Sequence, residues 1–282
     1  MIHLFALLSL LLCGVCYTGF QNSSHFHNTG NRRSLLLLVF GGALLLRLLL
    51  AYTTHGFSND IACFAAWADR IFTLGPGQFY SAEMFTDYPP GFMYVLYLIG
   101  ALRSLLQIPY YSDLHILLLK LPAILCDIAC GFLLYREAVK RLHFSDLQGI
   151  FAASAYLFQP AVILNSSCWG QVDSVYTLMI ILMCLFLMKG NLLPAYAVYG
   201  LGVLLKPQML IFTPVLLAGI WDHVFLQDFS WRKFFYNLCG GLVVICGMLL
   251  LCAPFGLTAA ISQYTSTLGS YAVSYTHLRA HE

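Results

Sequence analysis

Long apolar runs separated by short polar stretches fill most of this chain. A helix that crosses a lipid bilayer needs roughly 20 mainly apolar residues, and by that measure there are about nine hydrophobic segments. They lie at 2–20, 34–52, 92–108, 116–135, 148–165, 171–188, 192–221 and 234–254, and Lys206-Pro207 divides the run 192–221 if it forms two segments. The pattern predicts an all-α fold, a polytopic bundle of transmembrane helices.

The composition supports a membrane location. Hydrophobic residues make up 60% of the 282 residues and charged residues 9%, with a mean hydropathy of +0.79. A soluble domain carries about a quarter charged residues, so we exclude that class and expect membrane lipid as a partner. The net charge of +2 includes no clustered basic face, which excludes nucleic acid as a partner.

Charged residues in the short loops predict the orientation, because loops rich in Lys and Arg face the cytoplasm. Basic residues lie at 32–33, 136–141 and 232–233, whereas the stretch 53–91 is mainly acidic. We therefore expect 53–91 to face outward. Counting segments disagrees with this: if 92–108 and 116–135 both cross, the loop 136–141 also faces outward. We favour the charge rule, with 92–108 as a re-entrant segment.

One part of the outer stretch is amphipathic. Between Asp60 and Leu74, apolar residues recur at helical spacing opposite Asp69 and Arg70. This pattern is typical of a helix that lies on a membrane surface, and Gly75-Pro76-Gly77 ends it. The sequence predicts an outer-loop surface helix.

Two acidic positions border the outer stretch. Asp60 lies at the water interface, where a general base must reach an acceptor hydroxyl; the alternative is a helix N-cap. Asp87 and Tyr88 precede Pro89-Pro90, which fixes an extended entry into the next run. We interpret this string as a rigid acidic corner that contacts substrate, and the alternative is an ordinary helix start.

Two further polar strings interrupt the apolar runs. In the first, 165–174, Asn165, Trp169, Gln171 and Asp173 suit the hydroxyl groups and ring face of a sugar; the alternative is an interfacial loop with a membrane-belt Trp. In the second, Pro207 breaks a helix beside Lys206 and Gln208. A broken helix beside a Lys suits a phosphate, and a helix boundary with a snorkelling Lys explains the same residues.

Three ionisable residues lie inside apolar runs, where charges are costly and therefore functional candidates. Arg47 and Lys120 lie within about two turns of a segment end, so we expect them to snorkel to the headgroups. Asp127 lies deeper. We expect Asp127 to pair with a cation of a neighbouring helix.

Taken together and in this order, four strings resemble the GT-C class of glycosyltransferases: Asp60, Asp87 to Gly91, Asn165 to Ser174 and Lys206 to Met209. The resemblance is strongest to the lipid-phosphate-glucose-dependent enzymes of N-glycan assembly and their bacterial relatives. The resemblance covers roughly residues 34–270. It implies that Asp60 deprotonates the acceptor hydroxyl, which displaces polyprenyl phosphate from a hexose with inversion. It implies substrate contacts at Asp87, Tyr88, Asn165, Trp169, Gln171, Asp173, Lys206 and Gln208.

The resemblance also implies a set of partners and a location. The partners are a polyprenyl-phosphate-linked sugar and a glycan or lipid-linked acceptor; it implies no cofactor and no metal ion. The location is the plasma membrane of a bacterium, with the catalytic loop outward. The competing classes are a secondary transporter and a structural or assembly-partner membrane protein.

The domain prediction has three parts. Residues 1–33 form an extra hydrophobic helix and linker, 34–272 form a C-terminally truncated glycosyltransferase core, and 273–282 form a tail. The polar, His-rich tail looks like translated sequencing-adapter sequence, so we expect the native gene not to encode it.

Overall fold

The computed structural model describes residues 9–12, 14–15, 17–19, 32–80, 85–227, 229–263 and 265. Regular structure within these ranges is entirely helical, which confirms the all-α prediction. The described parts of the first run, 2–20, are helical. The linker before residue 32 and the tail 273–282 lie outside the described residues.

Ten α-helices lie between residues 32 and 252, and we number them in chain order; residues 257–263 are also helical. They are α1 Arg32–Thr53, α2 Ser58–Leu74, α3 Pro90–Leu105, α4 Asp113–Lys140, α5 Asp146–Leu157, α6 Pro160–Ile163, α7 Asp173–Met188, α8 Leu192–Leu205, α9 Thr213–Trp221 and α10 Trp231–Cys252. Leu164–Trp169 and Asp222–Leu226 continue α6 and α9 as π-helical turns, and Pro207–Phe212 is a 3₁₀ helix that leads into α9.

Among the described residues, four helical segments are long and apolar enough to cross a membrane. They are Arg32–Thr53, Asp113–Lys140, Pro207–Leu226 and Trp231–Phe255; α5 with Pro160–Trp169 makes a fifth if this pair, bent by 52°, counts as one span. These helices indicate a membrane protein. The prediction of about nine spans is not confirmed, because α3 and α7 have 16 residues each and α8 has 14. Sixteen residues rise about 24 Å, short of a hydrocarbon core of about 30 Å.

The chain divides into two compact units. The first comprises residues 1–65 and 108–178, and the second comprises 66–107 and 179–282. Helices α2 and α7 each contribute residues to both units.

In the first unit, α1 and α4 run antiparallel. At one end, Arg32 Nη1 lies 3.1 Å from Asp146 Oδ2 and Arg32 Nη2 donates to the Tyr135 hydroxyl at 2.9 Å. At the other end, His55 Nδ1 lies 3.7 Å from Asp113 Oδ1. The start of α1 therefore lies beside the end of α4, so both basic stretches, 32–33 and 136–141, belong to one end. The end of α1 and the start of α4 lie together at the opposite end of this helix pair.

A buried, hydrogen-bonded ion pair lies inside the first unit. Arg47 and Asp127 are fully buried, and Arg47 Nε lies 3.3 Å from Asp127 Oδ2. Arg47 also donates to the carbonyl oxygens of Leu157 at 2.7 Å and Ala43 at 3.2 Å. The pairing expected for Asp127 is therefore present, whereas the prediction that Arg47 snorkels is wrong, because its partners are protein atoms.

Lys120 is also fully buried, so the snorkelling prediction is wrong here too. Its ammonium donates to Thr54 O at 2.7 Å, Thr54 Oγ1 at 3.1 Å and Ala51 O at 3.2 Å. These carbonyls belong to the C-terminal end of α1, where the helix dipole favours a cation. Lys120 thus joins α4 to the end of α1.

The second unit has its core around α8, α9 and the 3₁₀ helix. Met183, Tyr196, Met209 and Leu216 are buried together there. The run 192–221 is broken at Lys206-Pro207, as predicted: Lys206 has the extended backbone (φ −152°, ψ 127°) that a residue before proline prefers.

Helix α2 forms where the amphipathic pattern predicted it. Its apolar side chains, including Ile61, Phe64, Ala68 and Ile71, are nevertheless almost fully buried within the protein. The predicted location on the membrane surface is therefore not confirmed, because protein covers the face that we assigned to lipid.

Candidate functional site

The carboxylate of Asp60 is held by two side chains of the first unit. Trp169 Nε1 donates to Asp60 Oδ2 at 2.9 Å, and Gln171 Nε2 donates to the same oxygen at 2.5 Å. Oδ1 accepts no hydrogen bond from the described residues. Asp60 is half-buried, so this oxygen is open to a small molecule.

Asp60 is not the N-cap of α2. The helix begins at Ser58, and Ile61 N donates to Phe57 O at 3.0 Å, so Asp60 is already inside the first turn. Its carboxylate accepts from the side chains of Trp169 and Gln171, and not from a backbone N–H group of α2 among the described residues. The capping alternative is therefore wrong for this residue.

A π-helical turn positions Trp169. The N–H groups of Gly170 and Gln171 both donate to Asn165 O, at 3.1 and 3.0 Å. A π turn holds one residue more than an α turn, which directs the indole towards Asp60. Its ring lies 5.1 Å from the Phe57 ring, and both rings are exposed over nearly half of their surface.

Gly170 ends the π turn in the left-handed region, at φ +89°. A Cβ atom there would come within 2.6 Å of Ile61 Cδ1 and 3.4 Å of Lys120 Cε. The backbone conformation therefore favours glycine, and a larger residue would also have to displace the Ile61 side chain.

Asn165 and Asp173 complete this cluster. Asn165 Nδ2 donates to Asp173 Oδ2 at 2.9 Å, while Asn165 Oδ1 is buried without a hydrogen-bond partner among the described residues. Gln171 connects the Asp60 contact with the Asn165 contact, since its side chain donates to Asp60 and its backbone N–H donates to Asn165 O. The structure thus brings together five predicted site residues: Asp60, Asn165, Trp169, Gln171 and Asp173.

The predicted strings at Tyr88 and Lys206 meet in the second unit. Lys206 Nζ lies 5.8 Å from the centre of the Tyr88 ring, within the range of a cation–π interaction. Both residues are buried, so Lys206 does not snorkel. Where α3 meets the end of α8, a Cβ on Gly91 would lie 2.6 Å from Leu204 O, so only glycine permits this approach.

The backbone at Tyr88 is held by a neutral hydroxyl. Tyr80 donates to Tyr88 O at 3.1 Å. Burial raises the pKa of Tyr80 well above its usual value, and the nearby Cys252 adds to this, so the hydroxyl keeps its proton. Of the other predicted residues, Asp87 is half-buried, and Gln208 Oε1 is buried without a hydrogen-bond partner in the described ranges.

Sequence reasoning missed the hydroxyl groups around Asp127. Ser174 Oγ, Ser166 Oγ and the Tyr156 hydroxyl donate to its carboxylate at 2.5, 2.6 and 3.1 Å. The two serines fall inside the string 165–174, which we interpreted wholly as sugar-binding. Their spacing of eight residues would fit one face of a continuous α-helix, but the chain is interrupted between them at Gly170, so periodicity does not explain their meeting.

Comparison with known proteins identifies no relative: no family model matches the chain, and no curated protein matches it. The resemblance of the four strings to GT-C enzymes therefore stays a prediction.

Proposed function

We propose that this protein is a membrane glycosyltransferase that moves a hexose from a polyprenyl-phosphate-linked donor to an acceptor hydroxyl. The observation that supports it is the state of Asp60. Two donors fix Oδ2, and Oδ1 is left open at a half-exposed position. A fixed carboxylate with one open oxygen is suited to take a proton from a hydroxyl group.

The reaction follows from that arrangement. Asp60 Oδ1 accepts the proton of the acceptor hydroxyl while the oxygen of that hydroxyl attacks the anomeric carbon of the donor hexose. The bond from that carbon to the phosphate oxygen breaks, polyprenyl phosphate leaves, and the configuration inverts. The exposed rings of Trp169 and Phe57 offer apolar faces to a sugar ring.

The proposal includes a topology. The end of the first unit that carries Asp60, Trp169 and Asp113 faces outward, because the opposite end carries Arg32, Arg33, Lys140 and Arg141. The nine-segment arrangement and the bacterial plasma membrane belong to the same proposal. The short helices α7 and α8 then cross where protein, not lipid, covers their ends, and α3 is re-entrant.

The transporter alternative rests on the broken helices, but the buried charges of the first unit do not favour it. A cargo site needs charged groups that are free to exchange partners. Arg47 and Asp127 instead use their hydrogen-bonding capacity on each other and on protein groups.

Asp60→Asn tests the proposal. The Asn carbonyl oxygen still accepts from Trp169 and Gln171, while its amide replaces the basic oxygen with a donor. We expect transfer to fall about a hundred- to ten-thousand-fold at unchanged expression. The assay offers radiolabelled polyprenyl-phosphate hexoses to membranes that contain the full chain.

Asp113→Asn is the matched control, because Asp113 also lies in the first turn of a helix at the same end of the first unit. This variant should transfer sugar normally. Near-normal transfer by Asp60→Asn would show that Asp60 is not the base. Wild-type membranes that transfer none of the hexoses would refute the enzyme class.

A further inference from the structure

The second unit contains a positively charged cavity at the start of α10. It has a volume of about 650 Å³, and its lining includes His223, Ser230, Arg232, Lys233 and Asn237. None of the described residues that line it is acidic. Such a lining is complementary to an anion.

The two permanent charges in this cavity differ in how they are held. Lys233 Nζ donates to Gln227 O at 3.0 Å, which keeps the ammonium beside the cavity. The exposed Arg232 forms no hydrogen bond or ion pair with any residue in the described ranges. A guanidinium suits phosphate oxygens, because its planar donors make paired contacts with them. The positive end of α10, a 22-residue helix, adds to the same potential.

An apolar cavity adjoins the charged one. It has a volume of about 410 Å³ and is lined mainly by side chains such as Leu216, Ile220, Val244 and Met248. Asn237 lines both cavities. Its side chain is fixed at this boundary, since Nδ2 donates to Lys233 O at 2.8 Å and Oδ1 accepts from Tyr196 at 3.4 Å. The two cavities together have one charged end and one apolar end.

Aromatic side chains surround the charged end. Trp221, Phe229, Trp231, Phe235 and Tyr236 are exposed there, and the Phe229 ring lies 5.3 Å from that of Trp231. Exposed Trp and Tyr beside basic residues mark the headgroup level of a membrane. The charged cavity thus lies where lipid phosphates lie.

We infer that these two cavities bind one anionic phospholipid, with its phosphate at Arg232 and Lys233 and an acyl chain in the apolar cavity. A free anion would use only the charged cavity, and a neutral lipid would gain little from the two cations. This site is separate from the proposed transferase reaction, and it predicts that the protein depends on the lipid composition of its membrane.

Native mass spectrometry of the full chain in detergent tests the headgroup contact. The protein is titrated with phosphatidylglycerol, phosphatidylcholine or glycerophosphate, and dissociation constants are compared. Phosphatidylglycerol should bind most tightly. Arg232→Gln/Lys233→Gln should weaken it about 30-fold, since each basic residue beside anionic lipid contributes about fivefold. Arg33→Gln/Lys140→Gln removes the same charge from exposed positions of the first unit and should change nothing.

A second pair of variants tests the acyl chain. Gly241 lines the apolar cavity, and a Cβ there meets nothing within 4 Å, so Gly241→Leu fills the cavity without a backbone clash. It should weaken phosphatidylglycerol binding about tenfold, as expected for roughly two lost methylene contacts. Gly247→Leu, equally open on the same helix but outside the cavity, should have no effect.

Three results would overturn the inference. Equal binding of phosphatidylcholine would remove the role of charge. Glycerophosphate that binds as tightly as phosphatidylglycerol would reduce the site to a free-anion site. Equal losses in both double variants would mean that only the general surface charge attracts the lipid.

Discussion

Replacing Asp127 by Leu leaves the guanidinium of Arg47 buried without its counter-ion. Arg47 keeps the carbonyl oxygens of Leu157 and Ala43, but these do not neutralise its charge. The reverse change, Arg47→Met, leaves Asp127 with three hydroxyl donors, from Tyr156, Ser166 and Ser174. The two single variants should therefore differ in stability.

The magnitudes follow from this asymmetry. Removing one partner of a buried pair costs about 3 to 5 kcal/mol when the other charge is left uncompensated, which we expect for Asp127→Leu. Loss of a charge-assisted hydrogen bond costs about 1.5 to 3 kcal/mol, which we expect for Arg47→Met. The double variant should be more stable than Asp127→Leu alone, because no buried cation remains.

Thermal unfolding of the purified protein in detergent measures these differences. At about 2 to 4 °C for each kcal/mol, Asp127→Leu should lower the midpoint by roughly 6 to 20 °C. Asp146→Asn, which removes the carboxylate of the partly exposed pair with Arg32, is the control and should change it by only a few degrees. If the costs of Arg47→Met and Asp127→Leu were equal and added fully in the double variant, the two charges would not be coupled.

Two further predictions concern topology and the donor phosphate. In a cysteine-free background, a cysteine at the exposed Asn59 should react with an impermeant maleimide in intact cells, and one at the exposed Leu142 should not; equal labelling would refute the proposed orientation. Lys206→Met should weaken binding of a polyprenyl-phosphate hexose about ten- to a hundred-fold, while Lys206→Arg keeps the charge and part of the affinity; unchanged binding by the Met variant would show that Lys206 does not hold the donor phosphate.

Several elements were predictable because they depend on local pattern. The run 34–52 corresponds to α1, Arg32–Thr53, and the break at Lys206-Pro207 follows from the chemistry of proline. Asp60 was predicted as the base and Trp169 and Gln171 as sugar contacts, but no spacing in the sequence gives the hydrogen bonds between them.

The errors share a physical cause. Periodicity identified the apolar face of α2 but carries no information on whether lipid or protein covers it. Depth in a segment suggested that Lys120 reaches the headgroups, whereas the end of α1 supplies three acceptors for it. Asp69, which we assigned to a solvated face, forms an ion pair with Arg103. Each outcome depends on a partner distant in sequence.

The π-helical turn at Leu164–Trp169 makes the candidate site sensitive to the length of the chain. Each residue of an α-helix advances the chain by about 100° around the axis. Losing one codon between Asn165 and Trp169 would restore regular α-helical winding and turn the indole away from Asp60, with the surrounding helices intact. Homologous genes that differ by a single-residue deletion here would therefore keep the architecture and lose the contact. Among related genes, a change in the number of residues in this turn would therefore indicate a change of function even where Asp60 is still present.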